Sequence, residues 1–131
     1  MPRLLTDTTT ALTQDNLLSL ARHYGGPFWA YDASIIQARI SQLQQFDVVR
    51  FAQKACSNIH ILRLMRAAGV KVDSVSLGEI ERALAAGYQA GGDEIVFTAD
   101  LLDEPTLARV AELKVPVNAC LLYTSPSPRD A

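Results

Sequence analysis

A repeat of short apolar runs, each followed by a capped segment of helical pattern, is the feature that most narrows what this chain can fold into. Residues 48–52, 71–75, 94–98 and 115–118 are rich in β-branched and aromatic side chains, the composition of strands. Their markers Val48, Val72, Ile95 and Val115 stand 24, 23 and 20 residues apart. That spacing fits one strand, one helix and two short loops. Between the runs, Asn58 is placed to cap a helix presenting Ile61, Leu62, Met65 and Ala68, with Gly69 as its stop. Ser76 and Glu79 form an S-x-x-E capping box, the glutamate reaching back, ahead of a helix through Ile80 and Leu84 to Gly87. Asp103, Glu104 and Pro105 open a helix carrying Leu107, Val110 and Ala111. A βα series predicts an α/β fold with a parallel sheet built by right-handed crossovers. Periodicity leaves two architectures open, a doubly wound sheet and a (β/α)8 barrel. The chain has no G-x-G-x-x-G after its first strand and no Walker A sequence, so the usual nucleotide signatures of the open sheet are missing.

The residues before the repeat are patterned differently. Thr13 is a candidate N-cap for a helix with Leu17, Leu20, Ala21 and Tyr24 on one face, and Gly25-Gly26 stops it. Residues 27–31, with Phe28, Trp29 and Tyr31, read as a short strand in which Trp29 and Tyr31 pack. Asp32 then caps a second helix whose inward side is Ala33, Ile36, Ile40 and Leu43.

Composition excludes several function classes. A net charge of -2 and no cluster of Lys or Arg argue against nucleic acid or an anionic membrane as partner. No apolar stretch approaches the roughly 18 residues of a spanning helix, and the polar, Thr-rich start has no signal-peptide pattern. Cys56 and Cys120 match neither a metal-ligand spacing nor a disulfide framework, which fits a reducing, cytoplasmic setting. His23 and His60 have no partner at ligand spacing, so no metal site is expected.

In either α/β architecture, functional groups gather at the C-terminal ends of the strands. Lys54 falls there, after a largely apolar run expected to hold its amine in a partly desolvated place. Desolvation favours the neutral amine, the only form that attacks an aldehyde. The bland reading of a lone lysine is a solvated surface residue. Asp73, in the second run, has a bland reading as a strand-end carboxylate that caps the next turn.

At these residues a resemblance decides. The segment 51–58, Phe-Ala-Gln-Lys-Ala-Cys-Ser-Asn, resembles the [YF]-A-x-K-A-N-x-N segment of the fold-type III decarboxylases, whose lysine carries pyridoxal phosphate. Residues 72–79, Val-Asp-Ser-Val-Ser-Leu-Gly-Glu, resemble the D-x-x-S-x-G-E segment that follows in that family. Cys56 departs from the usual asparagine and reads as a small buried side chain. Residues 46–88 are similar to the bacterial diaminopimelate decarboxylases in particular, and the likeness extends over 12–119.

The resemblance implies the N-terminal half of an alanine racemase-like (β/α)8 barrel that binds pyridoxal 5'-phosphate, with Lys54 as the cofactor lysine and Asp73 near the cofactor's reactive end. It implies decarboxylation of meso-diaminopimelate to lysine, an amino-acid substrate and a homodimer. The family's ring-stacking histidine, phosphate loop, glutamate opposite the pyridine nitrogen and partner-donated segment have no counterpart here. Residues 1–31 are then a lead toward a separate β-domain and 32–119 a partial barrel. Residues 120–131, which break the likeness and contain Ser-Pro-Ser-Pro, read as a non-native tail resembling a translated sequencing adapter. Half a barrel should be inactive and unstable alone, with Val48, Phe51, Val72, Val75, Ile95 and Phe97 losing the interior that buries them. Rival readings are an ornithine, arginine or carboxynorspermidine decarboxylase of the same fold type, a non-catalytic pyridoxal-phosphate-binding homeostasis protein, and a plain α/β interaction domain.

Overall fold

A computed structural model of the chain describes residues 12–99 and 102–118. They fall into two compact units divided between Gln45 and Phe46. The expected tail at 120–131 and the first eleven positions of the expected lead lie outside the described residues.

The first unit holds two helices whose ends are set by local chemistry. Helix α1, Gln14–Tyr24, starts where Thr13 Oγ1 accepts the Asn16 N–H and stops where Gly25 turns left-handed at φ 68°. Helix α2, Ala33–Ser41, starts where Asp32 accepts from the Ser34 and Ile35 N–H groups. Asp32 also accepts the Leu12 N–H at 3.2 Å, so one carboxylate ties the start of α2 to the segment before α1. The Ser34 hydroxyl is its strongest donor and holds the Asp32 carboxyl below the usual aspartate range. Neither helix has a fully buried residue; of the inward faces expected for them, Leu20, Ile36 and Ile40 are half-buried among the described residues. The strand expected at 27–31 does not form. A strand exists only through a ladder with a neighbour, and no strand among the described residues pairs with this extended segment. Trp29 is 90% exposed and Tyr31 54% exposed.

The second unit contains the repeat. Strands β1 (Arg50–Ala52), β2 (Lys71–Ser74) and β3 (Ile95–Phe97) alternate with helices α3 (Ile59–Ala67), α4 (Leu77–Ala86) and α5 (Glu104–Glu112). The strands are parallel in the order β1-β2-β3. The run at 115–118 joins next to β3 by a single parallel bridge: Phe97 N–H donates to Pro116 O at 2.8 Å, and Asn118 N–H donates to Phe97 O at 2.9 Å. Sequence neighbours are therefore sheet neighbours throughout, without the reversal of order that defines a doubly wound sheet. The order is that of the N-terminal half of a (β/α)8 barrel.

Helix ends follow the caps. Asn58 and Asp103 accept N–H groups in the first turns of α3 and α5. Ser76 Oγ accepts the Glu79 N–H at 3.3 Å, while Glu79 reaches back past the cap to the Val75 N–H at 2.7 Å. The box thus also satisfies a donor at the end of β2. Gly87, at φ 105°, closes α4 and folds Tyr88 beneath it. The Tyr88 hydroxyl donates to Val70 O at 2.9 Å, with Leu62 O a second acceptor at 3.3 Å. Burial, helped by the Glu94 carboxylate, pushes its pKa up to about 12.

Register corrects the expectation about which residues the missing half of a barrel would cover. Phe51, Val72 and Ile95 share one level of the sheet, and Ser74 and Phe97 share the next level on the same face. That face meets the helices. Val72, Ile95 and Phe97 are at most 1% exposed against Leu62, Ile80, Ala83 and Val110, and Phe51 packs beside them. Each such burial contributes about 1.5–3 kcal/mol. The opposite face carries Ala52, Asp73 and Val96, half-buried and without helices among the described residues of the second unit. Val48 lies outside β1 and Val75 beyond β2, both exposed. Because side chains alternate along a strand, a set that mixes Val72 with Val75 could not have lined one face.

Candidate functional site

Parallel packing brings the C-terminal ends of β1, β2 and β3 to one rim, where both residues singled out from the sequence sit. After Ala52 the chain leaves the sheet in a 3-10 turn, Gln53–Ala55. This turn sends Gln53 inward, fully buried, and Lys54 outward. Lys54 is exposed and makes no hydrogen bond or ion pair among the described residues. The expected partial desolvation of its amine is therefore not found. The apolar strand ends before the lysine, and the turn gives the buried position to its neighbour.

Asp73 lies in β2, paired in register with Ala52 on one side and Val96 on the other. Its position is half-buried on the open face, and Oδ1 is buried without a hydrogen-bond partner. It caps no turn among the described contacts; the N-cap after β2 is Ser76. The turn-cap reading of Asp73 is thus not what the geometry contains.

The rim also holds polar contacts that sequence reasoning missed. Gln53 Nε2 donates to Ser74 Oγ at 2.7 Å, a buried bond between the Lys54 turn and β2. Asn118 Nδ2 donates to Thr98 Oγ1 at 2.8 Å across the ends of the third and fourth strand positions. The first had a readable signal: counting alternate residues from Phe51 places Gln53 and Ser74 on the helix face. The second had none, since it depends on how the segment after α5 returns to the sheet.

Cys56 is half-buried, with its N–H donating to Gln53 O at 2.9 Å. His60 is an exposed residue of the first turn of α3, and its N–H donates to Asn58. Among the described residues no group of His, Cys, Asp and Glu could hold a metal ion, and no helix is long and apolar enough to cross a membrane.

The residues present fit a cofactor of the pyridoxal kind. A free primary amine at the rim offers a covalent anchor, and a buried acceptor oxygen one strand away lacks a donor. The diaminopimelate decarboxylase of Escherichia coli (strain K12) is 68% identical over 121 residues, 91% of this chain and 29% of that protein. Its counterpart in Streptomyces coelicolor is 63% identical over 111 residues, 83% of this chain and 25% of that protein. This chain therefore spans less than a third of the length of these relatives. A crystal structure of a diaminopimelate decarboxylase superposes with a TM-score of 0.80 at 66% identity, covering 90% of this chain and 28% of that one. The enzyme of that name from Helicobacter pylori, crystallised in complex with L-lysine, gives 0.68 at 30% identity over 79% of this chain and 28% of its own. An ornithine decarboxylase from Entamoeba histolytica, 21% identical with a TM-score of 0.68, shares the fold over 79% of this chain and 34% of its own. The family described as pyridoxal-dependent decarboxylase, pyridoxal binding domain, matches residues 33–122, more than half of the chain, and the chain belongs to that family.

Proposed function

We propose that this chain is the cofactor-lysine portion of a meso-diaminopimelate decarboxylase, which releases carbon dioxide from that amino acid to leave lysine. Lys54 holds pyridoxal 5'-phosphate and Asp73 faces it. The observation that carries the reading is the placing of an unengaged lysine at the rim of β1 beside a strand whose Asp73 Oδ1 is buried and unpaired. A buried acceptor without a donor costs about 1–3 kcal/mol, and an N–H or cationic group arriving on the open face removes that cost. The identity of 68% to the Escherichia coli protein supports the substrate.

The roles of the chain's own residues follow from their positions. Lys54 Nζ, exposed at the rim, is open to a carbonyl compound and is nucleophilic once it has given up a proton. Asp73 Oδ1, buried and without a partner, would accept a hydrogen bond from a donor on a group held by Lys54. Ala52 and Val96, level with Asp73 on either side, wall it with apolar atoms and keep water from its buried oxygen. When bound, pyridoxal phosphate supplies the electron sink that makes loss of carbon dioxide feasible. The proposal includes a second copy of the full-length enzyme as partner, no nucleic acid or membrane, and a cytoplasmic setting.

A full-length chimera, in which residues 12–118 replace the matching segment of the Escherichia coli enzyme, tests this. It should release carbon dioxide from meso-diaminopimelate far faster than from ornithine, lysine or arginine. Borohydride should fix the cofactor on Lys54, and Lys54→Ala should abolish both fixation and turnover. Fixation on Lys71 or Lys114, or a preference for ornithine, would refute the proposal.

A further inference from the structure

The turn that carries Lys54 and the residues just after it are tied down by four hydrogen bonds. Gln53 Nε2 donates to Ser74 Oγ at 2.7 Å, in a place where both residues are fully buried. The Gln53 carbonyl accepts the Cys56 N–H at 2.9 Å and the Ser57 hydroxyl at 3.0 Å. Arg82, from α4, donates to the Ser57 carbonyl at 3.4 Å. Only the first of these ties reaches β2, the strand that bears Asp73.

Stability alone does not account for an amide at position 53. Its Oε1 is buried with no hydrogen-bond partner among the described residues. An apolar side chain of similar length would fill the same space without an orphaned acceptor. Ser74 likewise occupies a site between core residues of the helix-facing layer, level with Phe97, where an apolar residue would add to the packing. Two polar groups retained in a core, with one of their acceptors unsatisfied, are better explained by what they hold in place. They hold the first residue of the 3-10 turn to the residue next to Asp73.

We infer that Gln53 and Ser74 are a positioning pair, whose buried hydrogen bond fixes the Lys54 turn against β2 so that the lysine and Asp73 keep one spacing. Both residues are fully buried in the helix-facing layer, so the pair acts through Lys54. The inference rests on the proposed role of Lys54.

The test uses the full-length chimera with Ser74→Ala, Gln53→Met, the double variant and Ser74→Thr, which keeps the hydroxyl on a strand residue. Three quantities are measured: the melting temperature, the rate at which enzyme stripped of cofactor captures added pyridoxal 5'-phosphate on Lys54, and amide hydrogen exchange at Lys54, Ala55 and Cys56. A bond of ordinary net strength corresponds to as much as a tenfold effect, so capture should slow and exchange quicken by up to about tenfold in both single variants. In the double variant the melting temperature should recover, because no buried partner is orphaned, while capture stays slow and exchange fast. Ser74→Thr should behave as the unchanged protein. Capture that recovers together with melting in the double variant would mean a merely structural bond and would overturn the inference, as would unchanged exchange in the variants. If Ser74→Ala does not fold, the double variant and Ser74→Thr decide the matter. Should the unchanged chimera capture no cofactor on Lys54 while exchange still responds, the proposed function falls and the coupling of the turn to β2 stands.

Discussion

Raising the pH through the tyrosine range should remove a defined share of the second unit's stability through Tyr88. The residue is 2% exposed, and its phenol donates to the Val70 carbonyl at 2.9 Å and has its pKa raised to about 12. Burial is the main cause, and the Glu94 carboxylate adds to it. Below the ordinary tyrosine value of about 10, folded and unfolded chains both keep the proton and the contribution is complete. Between about 10 and 12 the unfolded phenol ionises and the folded one does not, so stability falls by about 1.4 kcal/mol per pH unit. The loss by the upper end is about 2–3 kcal/mol, a large fraction of the roughly 5–15 kcal/mol typical of a domain. Denaturant unfolding at a series of pH values should show the decline, and Tyr88→Phe should be less stable at neutral pH but lack that part of the slope. In ultraviolet difference titration against Tyr88→Phe, the phenol that the substitution removes should ionise above the ordinary tyrosine range. Parallel slopes for Tyr88→Phe and the unchanged protein, or ionisation of the Tyr88 phenol near its ordinary value, would refute the reasoning.

On the acid side, Asp32, Asp93 and Asp103 are held below the usual carboxylate range by hydrogen bonds from Ser34, Lys71 and Thr106. Their contribution is present above pH 4 and should be lost as the pH falls through their lowered values; a melting temperature that is flat down to pH 2 would contradict it. Phe97→Ala should cost about 3–5 kcal/mol in denaturant unfolding, while Val96→Ala, on the face without helices, should cost well under half of that; equal losses would show the assignment of faces to be wrong. Gly87→Ala should destabilise by about 1–2 kcal/mol, because φ is 105° and left-handed backbone disfavours a Cβ. The nearest atom to that Cβ, Arg66 Nη1 at 3.7 Å, leaves room, so Gly87→Asn should lose less than Gly87→Ala if backbone strain is the cause.

Much of the fold was legible because it rests on short-range rules. The caps Thr13, Asp32, Asn58, Ser76 and Asp103, and the left-handed stops Gly25 and Gly87, stand where their side chains or lack of one require. The strand at 27–31 misled because aromatic content describes a strand's side chains and says nothing about a partner for its backbone. Lys54 was legible as a rim residue, since it follows the first strand of a βα series, and its exposure agrees with the solvated-surface reading of a lone lysine. The expected desolvation was not met, because a single 3-10 turn gave the buried position to Gln53.

Within the repeat, the sequence by itself determined the alternation of strands and helices, the helix ends and the family motif, all properties of residues within a few positions of one another. Only the tertiary structure decided three further things. Strand order without reversal chose the barrel half over the open sheet. Register put Val72, Ile95 and Phe97 under the helices and Asp73 on the open face. The return of β2 beside β1 brought Ser74 to Gln53, 21 positions away, beneath the lysine. These depend on pairings between distant segments, whose energies come from burial and from hydrogen bonds that no local pattern specifies.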